Sequence, residues 1–311
     1  MLRSLIVKFN CKTAKSAISL VLFHRFHSIV NRKYSIMSSE IECYFETALE
    51  LTKQAGKLIR DRISENKIVE IKSCDIDFVT ETDKQVEKLL IDGLSKQFPA
   101  HRFIGEETAS AGGQSSLTSA PTWIIDPVDG TLNFVHGFPH SCISIGLFID
   151  CQPTLGIIYN PVLEQLFTAK KGQGAYYNGK RIHVSGQTDL TKAIVMMENG
   201  TSRDSERFNC LRANQEMLVP VIHGIRSLGS AALNMAMVAM GAAEAYFEFG
   251  IHIWDIAAGE IIVTEAGGVV CNPAGGPIDR MSRRVLCASS QALAEQLTQK
   301  LVQFYPTPRD D

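Results

Sequence analysis

From Ile41 onward, apolar or small residues at 41, 44, 48, 51, 55, 58, 59 and 63 recur at helical spacing until Ser64-Glu65-Asn66 interrupts them, so the body of the chain opens on an amphipathic helix. A second helical face follows Thr82-Asp83, carried by Val86, Leu89, Leu90 and Leu94 and stopped by Phe98-Pro99. Between the two, Ile68 to Val79 has the look of a short strand. The Ala, Gly and Ser of Thr108 to Ser119 cannot pack a core and predict a mobile surface loop. Apolar runs then predict strands at Thr122 to Ile125, Ser141 to Ile149 and Thr154 to Tyr159. Tyr176 to Ile182 predicts a hairpin, because Asn178-Gly179 tolerates the positive φ angles of a two-residue turn. Further on come a strand at Ala193 to Met197, a small-residue helix from Ser230 to about Ala243, and a helix from Asp255 to Ala266 closed by Gly267-Gly268. Strands at Val269 to Cys271 and Val285 to Ala288 and a helix from Gln291 to Phe304 finish the series. Helices and strands alternate without a β-α-β rhythm or an internal repeat, which favours a layered α+β fold over a barrel. A change of composition near Thr188-Asp189 divides the body into halves at 37–188 and 189–311.

Composition changes this picture mainly at the N-terminus. With 311 residues, 45% hydrophobic and 21% charged, the chain can bury a large core without staples. Residues 1–39 hold seven of the 31 Lys and Arg (Arg3, Lys8, Lys12, Lys15, Arg25, Arg32 and Lys33) and none of the 33 Asp and Glu, leaving the remainder with a charge of about −9. Such a body argues against nucleic-acid binding. Two readings of residues 1–36 stand open: a mitochondrial transit peptide cut after Tyr34, or an isoform extension upstream of a working start at Met37. The apolar run from Ile18 to Phe23 is far short of the ~20 residues of a bilayer span, so no stable membrane insertion is expected. Cysteines at 11, 43, 74, 142, 151, 210, 271 and 287 form no C-x-x-C pair and suit free thiols in a reducing compartment. A cytoplasmic protein is expected, with mitochondrial targeting of any form that carries the extension.

The candidate chemistry is concentrated in Trp123-Ile124-Ile125-Asp126-Pro127-Val128-Asp129-Gly130-Thr131-Leu132-Asn133-Phe134. A buried strand would deliver Asp126 to its end, Pro127 would stiffen the turn, and Asp129 would follow three residues later. Two carboxylates on so short a loop, with the Val128 carbonyl between them, suit a hard divalent cation. Gly130 leaves space for a phosphate, and the residues after it, if helical, would aim free N–H groups at that anion. Taken alone, Asp-x-x-Asp-Gly is also a capped surface turn.

The full run resembles the first signature of the inositol monophosphatase family, and Trp254-Asp255-Ile256-Ala257-Ala258-Gly259-Glu260-Ile261-Ile262-Val263, ending in Gly267-Gly268, resembles the second. The resemblance covers residues 40 to 305. It implies a layered α-β-α-β-α sandwich of the sugar-phosphatase type and hydrolysis of inositol monophosphate by metal-activated water, in line and without a covalent intermediate. Two to three Mg2+ ions are implied at each site. Asp126 would bridge two of them, Glu106 and the Val128 carbonyl would complete one position, and Asp129 with Asp255 the other. Thr131 and Glu106 would hold the nucleophilic water, Asp83 accepting a hydrogen bond from Thr131. Substrate contacts would come from Glu106, Val128, Asp129, Gly130, Thr131, Gly229, Ser230, Ala231, Glu248 and Asp255. Lithium sensitivity, a homodimer and a place in inositol biosynthesis and phosphatidylinositol signalling are implied as well.

Several of these residues have plainer readings. Glu107 rivals Glu106 as ligand, Asp83 and Asp255 could each be only a helix cap, and Glu248 could be an exposed edge carboxylate. His136, His140, His223 and His252 sit in apolar or Gly-rich surroundings that suit structural hydrogen bonding, and no Ser-His-Asp or Cys-His set competes. The other functions weighed are a related phosphatase acting on nucleotides or inositol polyphosphates, and a phosphate-binding scaffold without turnover.

Overall fold

The computed structural model describes the backbone of residues 17–65, 67, 69–72, 78–112 and 116–310, with side chains from Ser39 onward. Arg3, Lys8, Lys12, Lys15, Cys11 and Cys74 lie outside the described residues. The chain separates into one unit ending at Glu46 and another spanning Thr47–Asp311.

The first helix, α1 (Ala17–Arg62), begins upstream of Ile41. No Gly or Pro stands between Ala17 and Glu40, so nothing local stops it. Its predicted apolar stripe is buried at Ala48, Ala55, Ile59 and Ile63. A ribbon of β1 (Val69–Ile71) and β2 (Phe78–Thr80) leads to α2 (Glu81–Gln97), capped by Thr80. Strand β3 (Arg102–Gly105), helix α3 (Glu106–Ser110), strand β4 (Thr122–Asp129) and helix α4 (Thr131–Val135) follow. Then come β5 (Cys142–Ile149), β6 (Gln152–Asn160), β7 (Gln165–Lys170), β8 (Gly174–Tyr177) and β9 (Lys180–Ile182). Strands β3 to β9 form a seven-stranded sheet in sequence order, antiparallel apart from the β3–β4 pair. The hairpin turn between β8 and β9 has positive φ at both Asn178 and Gly179, as the sequence predicts.

The rest of the chain builds the smaller sheet and its helices. These are β10 (Ile194–Met197), α5 (Ser205–Leu218), β11 (Gly224–Arg226), α6 (Ala231–Ala239), β12 (Ala245–Phe249), α7 (Ile253–Glu265), β13 (Val269–Cys271), β14 (Arg284–Ala288) and α8 (Gln291–Thr298). The five strands lie in the order β11-β10-β12-β14-β13. Their side chains alternate between two cores. Met196, Tyr246, Val285 and Cys287 face α6, α7 and the larger sheet, while Val195, Met197, Phe247, Phe249 and Leu286 face α5 and α8. Helices α6 and α7 are therefore sandwiched between the sheets. Glycine makes that layer thin: a Cβ at Gly146 would lie 2.8 Å from that of Ala257, and one at its cross-strand partner Gly156 would lie 2.7 Å from the Ala258 carbonyl oxygen. The opposite face of the larger sheet is covered by the part of α1 from Thr47 onward, where Gly56 admits Tyr159, and by α2. The result is the layered α-β-α-β-α sandwich. Thr188-Asp189 falls between the last strand of one sheet and the first of the other, and one hydrophobic cluster runs through both.

Some elements depart from their predicted bounds. Strand β4 runs on to Asp129 by bulging, Thr108 to Ser110 are helical, and 113–115 of the expected loop lie outside the described residues. Helix α6 stops at Ala239 because Gly241, at φ 75°, turns the chain into β12. Helix α8 ends at Thr298 because Asn214 of α5 clamps Val302 through both N–H and C=O, at 2.8 and 2.9 Å. Strands β3, β7, β11 and β12 and helix α5 have no sequence prediction. In α5 the buried face includes Arg207 and Asn214, which breaks its apolar period. Among the described residues Cys142, Cys210 and Cys287 are buried free thiols.

Candidate active site

The site is built at the end of β4. Trp123, Ile124 and Ile125 are fully buried and fix the strand, and Asp126 extends from it, only 2% exposed. Asp126 pairs with Ser144 but Asp129 with Cys142, so three steps on β4 match two on β5. This bulge turns both carboxylates inward. The Val128 N–H donates to Asp126 Oδ1 at 3.0 Å. From the far end of the sequence, α7 delivers Asp255 as its third residue, and the His252 N–H donates to its Oδ2 at 2.6 Å. Oxygens of Asp126, Asp129 and Asp255 all lie within 4.8 Å of one another. The cap reading of Asp255 therefore holds together with its place in the cluster.

Three carboxylates this close, Asp126 and Asp129 buried and Asp255 half-buried, cannot all stay ionised without a counter-charge. Burial pushes Asp126 well above the usual range, with the charges of Glu106, Asp129 and Asp255 adding to it. Asp255 is raised in the same way, by burial and then by Asp129 and Glu106. Asp129 rises to about 6, burial being partly offset by donors from the start of α6. Those donors are Ser230 Oγ at 2.6 Å and the Ala232 and Ala231 N–H groups at 2.7 and 3.2 Å. Hard oxygen donors, crowded, buried and short of positive charge, are the donor set that a divalent cation fits.

Glu106 opens α3, and its charge adds to the raised pKa of Asp126. It lies outside the three-carboxylate cluster, and Lys72 Nζ lies 2.8 Å from Glu106 Oε1 and 2.7 Å from Glu107 Oε1. Burial, more than the neighbouring Glu106, raises Glu107 to about 8. Beneath them Glu87 holds the start of α3, accepting from the N–H groups of Glu107 and Thr108 at 2.8 and 2.9 Å.

Thr131, the first residue of α4, places Oγ1 3.1 Å from Asp83 Oδ1 and 3.0 Å from the Val128 carbonyl oxygen. Asp83 also accepts from the Thr80 N–H at 3.0 Å and from the Thr80 hydroxyl, so it caps α2 and faces Thr131 at once. Burial lifts it to about 6. The space at Gly130 differs from expectation: at φ 86°, its Cβ position would meet the carbonyl oxygens of Gly229 and His140 at 2.8 and 3.0 Å. The chain's own backbone, not an entering phosphate, requires glycine there.

Glu248 lies in the interior strand β12 and is 6% exposed, which excludes the edge reading. Tyr246 donates to its Oε2 at 2.6 Å, and Arg207 Nη2 lies 3.8 Å from Oε1. Burial, then Glu198, raise it to about 8 against the pull of Arg207. Glu198, at the end of β10, had no sequence prediction. Its Oε1 accepts from the N–H groups of Leu228 and Gly229 and from Asn234 Nδ2 at 2.7, 2.9 and 2.8 Å, fixing the turn that presents Ser230 to Asp129. An acid directly after an apolar strand, the form Asp126 also takes, is the signal that could have found it. Lys72, Glu87 and Arg207 carry no such local signal. Of the histidines, His252 is hydrogen bonded, and burial lowers His140.

The inositol monophosphatase family model matches residues 40–304. Inositol monophosphatase 1 of Bos taurus is 48% identical over 271 residues, 87% of this chain and 97% of that protein. Two conserved-length relatives at such identity decide the matter, for inositol monophosphatase 2 of Homo sapiens is 46% identical over 87% of this chain and 93% of its own. The chain belongs to the inositol monophosphatase family. Among solved structures, an IMPase of Thermotoga maritima superposes with a TM-score of 0.75 at 31% identity, covering 83% of this chain and 96% of that one. As a member of this family the chain is a phosphoric monoester hydrolase.

Proposed function

We propose that this chain hydrolyses inositol monophosphate to inositol and phosphate, with Mg2+ held two to three ions to a site. The observation that carries the reading is the group of Asp126, Asp129 and Asp255, the first two buried and the third half-buried, which bring an oxygen each within 4.8 Å of one another. Asp126 at its centre would serve two ions, with Glu106 and the Val128 carbonyl on one side and Asp129 and Asp255 on the other. Bound magnesium would neutralise the phosphoryl and leaving oxygens and lower the pKa of water. Thr131 would orient the attacking water and pass its proton toward Asp83, which burial tunes to about 6, while Glu106 would hold the same water from the other side. Direct attack by water agrees with the sequence reading, in which no Ser-His-Asp or Cys-His set competes. Glu248, the Gly229-Ser230-Ala231 segment, Asp129 and Asp255 would contact the ring hydroxyls, and Gly130 would lie beneath the phosphate contacts. We further propose a cytoplasmic homodimer; light scattering of the purified chain tests its mass.

The deciding experiment is phosphate release from inositol 1-phosphate, adenosine 3′,5′-bisphosphate and fructose 1,6-bisphosphate with Mg2+, and then with lithium added. Inositol 1-phosphate should give the highest kcat/KM, with lithium lowering turnover. A nucleotide substrate preferred tenfold would overturn the assignment.

A further inference from the structure

After α8 the chain does not trail away but returns toward the metal cluster. Arg284 stacks over the Tyr305 ring at 4.0 Å, and Arg283 Nη1 donates to the Pro308 carbonyl at 3.1 Å. Arg309 pairs with Asp279 through two nitrogens, at 2.8 and 3.2 Å, on the surface. The Asp310 N–H donates to the Met281 carbonyl at 3.1 Å, and here the character of the tail changes. The Asp310 side chain is 6% exposed, with Oδ1 2.7 Å from His252 Nδ1 and 3.9 Å from Arg283 Nε, and Oδ2 accepting the Ile253 N–H at 3.2 Å.

Ile253 is the first residue of α7, and its N–H is one of those a helix start leaves without an internal partner. His252 is held from every side: its ring stacks on Trp254 at 4.5 Å and 9°, and Arg283 Nη2 lies 3.2 Å from its Nε2. Its backbone N–H is the group that fixes Asp255 Oδ2. Asp310 thus grips the two residues that set the start of α7, one through a side chain and one through the backbone. The next hydrogen bond in that chain ends on a carboxylate of the cluster. The remaining length of α7 is secured by apolar packing of Ile256, Ala258, Ile261, Ile262 and Val263 between the sheets.

We propose that Asp310 is a positioning residue for the metal cluster, holding His252 and Ile253 so that Asp255 is aimed at the cation before it binds. This rests on the metal reading of the cluster given above. Outer-shell partners of this kind are worth roughly 10- to 100-fold in metal affinity.

The test compares Asp310→Ala, Asp310→Asn, His252→Ala and Arg309→Ala in the full chain, reading the Mg2+ midpoint of activity and the Mg2+-induced rise in Tm. Asp310→Ala should raise the Mg2+ midpoint about tenfold and shrink the Tm response, with kcat at saturating Mg2+ within about twofold of the parent. Asp310→Asn, which keeps an oxygen for the Ile253 N–H, should recover most of the affinity. His252→Ala should match Asp310→Ala, and the double variant should add nothing further. Arg309→Ala, which removes the surface pair with Asp279, should behave as the parent. A parent-like Mg2+ midpoint in folded Asp310→Ala, or an equal loss in Arg309→Ala, would overturn the role of Asp310. Should Asp310→Ala not fold, His252→Ala with an unchanged midpoint does the same. A parent protein with no Tm response to Mg2+, matched by Asp126→Asn, would instead overturn the metal reading itself.

Discussion

Asp126 shows how one side chain is set by what surrounds it. It is buried at 2% exposure, accepts one backbone hydrogen bond, and faces three further carboxyl groups whose charges raise its pKa. Such a residue costs stability in the metal-free protein and repays it on binding a cation. Replacing it with Asn should therefore act in opposite directions on activity and stability. Asp126→Asn is expected to lose about a hundred- to a thousandfold in turnover, the order of magnitude attached to removing one transition-state charge stabiliser. In EDTA its Tm should equal or exceed that of the parent, because a mutual repulsion has been relieved. Activity assays and thermal melts of one preparation check both halves, and a variant that is inactive because it is unfolded would contradict the second.

At the level of elements, the site depends on how closely α7 can lie on the larger sheet. Gly146 and Gly156 face each other across β5 and β6 and leave no room beneath Ala257 and Ala258. Gly156→Val would push α7 outward. The overpacking should cost about 1–3 kcal/mol, read as a lower urea midpoint, and should raise the Mg2+ midpoint as well because α7 carries Asp255. The same elements explain what the sequence could reveal. The Asp126 to Thr131 string and the Trp254-Asp255 pair are local, so strand end, helix start and acid could be read from adjacent letters. Helix α5 escaped because Arg207 and Asn214 turn inward to the Phe249 carbonyl and to Val302, partners 42 and 88 residues away. Glu87, Glu198 and Asp310 likewise act through long-range backbone contacts that no period of 2 or 3.6 records. Gly130 shows the converse, since its sequence context pointed to a ligand where the tertiary structure places Gly229.

For the whole molecule, concentrating buried acids in one place makes stability depend on pH in an unusual direction. A carboxyl whose folded pKa lies above its unfolded value binds its proton more tightly when folded. Its stabilising contribution is full below the unfolded pKa and disappears as pH rises through the folded one. Asp83, at about 6 against 3.8 and set first by burial, would by itself account for roughly 3 kcal/mol lost between about pH 4 and 7. Asp129 at about 6 acts in the same window, and Glu107 and Glu248 at about 8 extend the decline toward pH 9. His101 and His140, lowered by burial, work the other way, since their contribution is lost as pH falls below about 6.5. Above about pH 6.5, where the histidines no longer contribute, only the raised carboxyls act, and the Tm of the metal-free protein should fall steadily toward pH 9. Magnesium competes with protons for the same oxygens, so the Tm increase at saturating Mg2+ should be greater at pH 8 than at pH 5.5. Melting curves in EDTA and in Mg2+ across pH 5 to 9 measure both slopes. A metal-free Tm that rises from pH 6 to 8 would mean that the cluster is already neutralised by groups other than a bound cation.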